Sequence, residues 1–153
     1  MKKLYIKVKG RLKAFIVLLI YGYKKIFGKS INDYKGKTKI LIFHHIDSIL
    51  RFRSIICHLN LYYNFISIED YFTGNINYNK INLIISLDDG YSSWKKFAFP
   101  VFKEFKIKPL LFINCDFVGL SNNESKTYCK KYIGTWAEKA IQWNEIKDFD
   151  GEV

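Results

Sequence analysis

The sequence predicts an α/β fold in which a parallel sheet is packed by helices, as an α/β barrel or an open sheet. Three observations predict it. Short, nearly continuous apolar runs recur at residues 39–43, 65–67, 81–87 and 109–113, the signature of strands buried on both faces. Between them, apolar residues fall three and four apart, as on one side of a helix. The chain has 153 residues, 49% of them apolar and 18% aromatic, enough for one domain with a substantial core. No internal repeat and no glycine-rich phosphate loop accompanies the alternation.

The elements follow in order. Residues 1–28 carry Leu4, Val8, Leu12, Phe15, Leu19, Tyr23 and Phe27 at helical spacing, with lysines crowding the other side. Their densest apolar run, residues 14–23, is ten long, against the roughly 20 that a spanning helix needs. No small-residue cleavage site follows it. This segment reads as a basic amphipathic helix on an anionic membrane surface, with a packed terminal helix or an uncleaved anchor as alternatives. Residues 39–43 form the first strand, and residues 48–63 a helix through Ile49, Phe52, Ile56, Leu59 and Tyr63. Residues 65–67 form a short second strand, and residues 74–80 a polar, Asn-rich loop. Residues 81–87 are the strongest strand. The next helix runs through Trp94, Phe97, Val101, Phe102 and Phe105 despite Pro100. A fourth strand follows at residues 109–113, then a polar loop over residues 121–131 and a short helix over residues 143–149.

The formal net charge of +11 invites a nucleic-acid partner until the charge is placed. Residues 1–37 hold 11 basic groups and one acid, which leaves 14 basic and 13 acidic groups for the rest. The body is nearly neutral and offers no general basic face, so no nucleic acid is expected. Cys57, Cys115 and Cys129 are odd in number and widely spaced, which predicts reduced thiols, at least one of them buried.

The chemically loaded stretch is Ser86-Leu87-Asp88-Asp89-Gly90-Tyr91. Asp-Gly alone suggests a hairpin turn, but the residues that follow have helical periodicity. Asp88 and Asp89 therefore sit where a buried strand ends and a helix begins, the side of a parallel sheet on which sites are built. Adjacent carboxylates repel, so they need a cation or a shared proton. A divalent metal bound by one acid, with the other free as a base, satisfies this. Simple capping of the following helix is the structural alternative. His44-His45 ends the first strand in the same way; adjacent strand residues point to opposite faces, so at most one lines the same pocket.

Taken together, these residues resemble the polysaccharide deacetylase family, also called the NodB-homology domain or carbohydrate esterase family 4. Ile40-Leu41-Ile42-Phe43-His44-His45 is similar to the opening strand of one branch. Ile85-Ser86-Leu87-Asp88-Asp89-Gly90-Tyr91 resembles the first motif, usually Thr-Phe-Asp-Asp-Gly, with Ser86 and Leu87 as departures. Residues 98–105 and 107–113 resemble the helix and strand that follow it. Residues 143–146 and 151–153 resemble the approach to the second motif. The resemblance covers residues 38–153, the expected domain, with residues 1–37 as helix and linker before it.

The resemblance implies an irregular (β/α) barrel of the NodB type, present here in its first half. It implies a metal-dependent hydrolase that removes acetyl groups from N-acetylated polysaccharides or glycans. Asp88 would be the general base, Asp89 a ligand of a divalent metal, by resemblance zinc, and His44 a residue lining the site. The family's two metal-binding histidines and its later motifs have no counterpart in this sequence, so the expected chain is incomplete and inactive alone. A membrane-associated or cell-envelope setting is expected. The competing readings are a non-catalytic, membrane- or partner-binding module derived from a deacetylase, and an unrelated α/β protein.

Overall fold

A computed structural model describes residues 31–134, 138–147 and 149. The chain divides into two units, Met1–Tyr34 and Lys35–Val153. In the first, the described part is a 3-10 turn, Ile31–Tyr34. The helix expected over residues 1–28 lies outside the described residues. No described helix is long and apolar enough to cross a membrane.

The second unit is built around one long strand. β1 (Thr38–Phe43), β2 (Tyr63–Phe65), β3 (Ile81–Asp89) and β4 (Leu110–Ile113) form a single parallel sheet. β1 runs along one edge of β3, from Thr38↔Asn82 to Phe43↔Leu87. The other edge of β3 is shared. β2 pairs with its beginning, Tyr63↔Ile81 to Phe65↔Leu83, and β4 with its end, Ser86↔Leu110 to Asp89↔Ile113.

The connections explain this order. Ser48 caps α1 (Ile49–Tyr62) by accepting from the Arg51 amide, and Phe52 and Ile56 are the helix's buried residues. α2 (Ile68–Thr73) opens with a full capping box between Ser67 and Asp70 and closes on Gly74 at φ 74°. A π-helical turn, Trp94–Ala98, leads into α3 (Phe99–Phe105), where Pro100 falls in the first turn and breaks no helical bond. α3 ends on Lys106 at φ 53°, a left-handed position that costs a residue with a Cβ about 1–2 kcal/mol.

One face of β3 presents Leu83, Ile85 and Leu87 to the core, which includes Phe52 and Ile56 of α1 and Val101 and Phe102 of α3. Edge-to-face rings join these layers: Phe43 to Phe52 at 5.2 Å and Phe52 to Phe102 at 5.4 Å. Burying each such ring contributes roughly 1.5–3 kcal/mol. At the start of β3 the fully buried Asn82 accepts from Asn64 and from the Asn77 amide and donates to the Asn77 carbonyl, pinning the Asn-rich loop.

The described sheet is open: no barrel closes among the described residues, and the second face is buried along β3, at Asn82, Ile84 and Ser86, but exposed on the flanking strands. Ile40 and Ile42 of β1 are 54% and 50% exposed, and Phe112 of β4 is 53% exposed. Because Leu41 and Phe43 are apolar too, the run could not reveal that only one of its faces meets helices. Residues 121–131 are not a loop. Ser121 and Glu124 form a second capping box that starts α4 (Asn122–Tyr128), and a π-helical turn, Cys129–Ile133, follows. The short helix near the end is α5 (Trp143–Lys147). Cys129 is buried, Cys115 exposed and Cys57 between, all reduced.

Candidate active site at the end of the central strand

The carboxyl end of β3 is where polar side chains gather. Ser86 Oγ donates to Asp88 Oδ1 at 2.7 Å. Oδ2 of Asp88 takes no hydrogen bond from the described residues. Leu87, in place of phenylalanine, is fully buried in the core.

Strict alternation would send Asp88 and Asp89 to opposite faces. Asp89 instead adopts φ 85°, and the alternation ends there. Its Oδ2 meets His44 Nδ1 at 2.9 Å, the N–H donating across from the end of β1. The His44 carbonyl in turn accepts from Trp94 Nε1 at 2.8 Å, and the Ile46 amide donates to Ser93 Oγ. The end of β1 is thereby tied to the turn that follows Asp89.

Gly90, at φ 98°, fits because it has no side chain. An added Cβ would lie 2.3 Å from Val118 Cγ2. A short antiparallel pairing locks the next residues: Ile141 N donates to the Gly90 carbonyl and Ser92 N to the Lys139 carbonyl, around a Tyr91–Ala140 bridge.

The two histidines diverge as the strand geometry requires. His44 has a 59% exposed side chain and faces Asp89. His45 is mostly buried, with Nδ1 3.3 Å from Glu138 and its ring edge-on to Tyr91 at 6.2 Å. Tyr91 is 2% exposed. Burial first, then the neighbouring Asp89 charge, pushes its hydroxyl well above the usual tyrosine range. Sequence reasoning did not find Tyr91, His45 and Glu138 as a group. Glu138 is 93 residues from His45, and no local spacing signals the contact. His58 is exposed on α1 beside Tyr62, away from this group.

The donor set falls short of a metal centre. Among the described residues no group of three or more His, Cys, Asp or Glu side chains could hold one. A catalytic zinc takes three protein ligands. Asp89 and His44 are two, and they are bonded to each other, so these residues do not make a zinc site by themselves.

No family model and no curated protein matches the chain. Solved structures do. IcaB from Ammonifex degensii matches over 72% of this chain and 47% of its own, at 24% identity and a TM-score of 0.51. Over this part the chain has the fold of that structure. A de-N-acetylase from Aggregatibacter actinomycetemcomitans also matches, at 14% identity and a TM-score of 0.44, over 72% of this chain and 49% of its own. So does the deacetylase PplD from Streptococcus pyogenes, solved in complex with acetate, at 17% and 0.48, over 75% and 53%. The chain spans about half the length of each of these three structures.

Proposed function

We propose that this chain carries the carboxylate half of a polysaccharide deacetylase site, a hydrolase acting on the acetamide C–N bond of N-acetylated sugars. The observation that carries the reading is the pair Asp88–Asp89 at the carboxyl end of the central parallel strand. There the two acids have different partners, Ser86 on one and His44 on the other.

The difference in partners divides the labour. Asp88 keeps an oxygen free of the described donors, and Ser86 fixes the other. That suits a general base, which must hold one orientation and still reach a water. As the water oxygen bonds to the acetyl carbon, Asp88 takes a proton from it; as the C–N bond breaks that proton passes to the nitrogen, releasing acetate and the amine. Asp89 is held by His44, which suits a ligand. It is the ligand this chain would contribute to a divalent metal, zinc by resemblance. The basic segment of residues 1–28 would hold the protein at a membrane surface, within the cell envelope where glycans are processed.

The test is acetate release by the protein as its cells make it, supplied with divalent metal and offered N-acetylated and O-acetylated glycan oligomers. Acetate from the N-acetylated oligomers is expected, and metal binding should fall in Asp89→Asn. Release from the O-acetylated oligomers alone, or undiminished metal binding in Asp89→Asn, would contradict the assignment.

A further inference from the structure

A cavity of about 630 Å³ opens beside the carboxyl end of α3, a volume in the range of small-molecule sites. Its floor is apolar: Phe99 and Phe149 stack in parallel, 3.6 Å between ring centres, and Phe102 and Ile107 complete it. Its rim is basic. Lys103, Lys106 and Lys108 line it, all exposed.

The charge on the rim is not neutralised from within. Glu145 is the acid among the described lining residues, and Lys95 pairs with it at 2.9 Å. Glu104, next along α3, is taken by Arg53 of α1. Lys108 also faces Asp70, one of the causes that hold that acid below its ordinary pKa. Among the described residues no ion pair joins Lys103 or Lys106 to a carboxylate. Lys106 adds an independent observation. It occupies a left-handed helix cap at φ 53°, where glycine is the usual choice, so strain is accepted to place a lysine on the rim.

We propose that this cavity binds a single-chain amphiphile with an anionic headgroup, an acidic membrane lipid by class. The chain displaces water from the aromatic floor, and the headgroup meets the rim ammonium groups. A polyphosphate would leave the floor unused, and a neutral alkyl chain would leave the rim unused. The inference does not rest on the deacetylase reading.

The test uses the full chain and a dansylated undecanoic acid, whose emission rises on entering an apolar site. Saturable binding is expected, with weakening on added salt because the headgroup contact is ionic. A lysophosphatidylglycerol should displace the probe, whereas undecanol and inorganic phosphate should compete at least about tenfold less well. Lys103→Gln with Lys106→Gln, both on the surface, should weaken binding about tenfold or more. Lys126→Gln with Lys130→Gln, exposed and away from the rim, should leave it unchanged. The proposal is overturned by absent saturation, by undecanol or phosphate competing equally, by an acidic peptide displacing the probe as well as the lipid, or by the Lys126/Lys130 variant abolishing binding. The competition series uses the unaltered protein, so it decides the matter even where a rim variant fails to fold.

Discussion

Asp89 takes a backbone angle that side chains with a Cβ rarely adopt, and Gly90 after it occupies space that no side chain could share. The two features act together. Without the turn at Asp89 the carboxylate would not reach His44, and without Gly90 the turn would collide with Val118. Gly90→Ala should therefore cost about 1–3 kcal/mol from overpacking, read as a lower denaturant midpoint. A midpoint equal to the wild type would show that Val118 yields freely. At this scale the sequence is informative where chemistry is local. Asp88, Asp89 and His44 stand out by residue type at strand ends, and the structure brings Asp89 and His44 together. Tyr91, His45 and Glu138 do not stand out, because Glu138 reaches His45 only through the pairing of residues 139–141 with Gly90–Ser92.

Among the elements, strand and helix order is legible because apolar runs and helical spacing mark β1, α1, β3 and β4, although in β1 and β4 part of the run is exposed. α4 is not, because a polar composition conceals its start. Its one inner stripe, Ser125 and Cys129, is too small to register as apolar periodicity. The better signal is the Ser121-x-x-Glu124 spacing, a capping box. The same device starts α2, and Ser67→Ala should cost about 1 kcal/mol, measurable by thermal unfolding. Its pH dependence has a definite sign. Hydrogen bonds from the Ser67 backbone and hydroxyl hold Asp70 below its ordinary pKa. A depressed carboxylate adds stability that is present above its unfolded pKa of about 3.9 and is lost as pH falls through the folded value. Acid titration of stability below about pH 4 should therefore be shallower in Ser67→Ala than in the wild type. Parallel curves would mean that Asp70 contributes nothing to the acid limb.

For the whole molecule, continuous apolar strands predict a parallel sheet covered on both faces, and the sheet is covered so along β3 but not on the strands beside it. β1 forms an edge of the described sheet, and Ile40, Ile42 and Phe112 are exposed. Such an edge favours pairing between chains. Ile40→Lys with Ile42→Lys should reduce self-association in sedimentation velocity while changing stability by no more than about 0.5 kcal/mol per site. A large loss of stability would mean that the face is covered in solution. The central claim is that Asp88, at the end of the central strand, is the base of a deacetylase. Its most direct test is acetate release from an N-acetylated oligosaccharide by Asp88→Asn, compared with the wild-type protein as its cells make it. The account predicts a rate about 10²–10⁴ times lower with the thermal unfolding unchanged. Equal rates from the two proteins would contradict it.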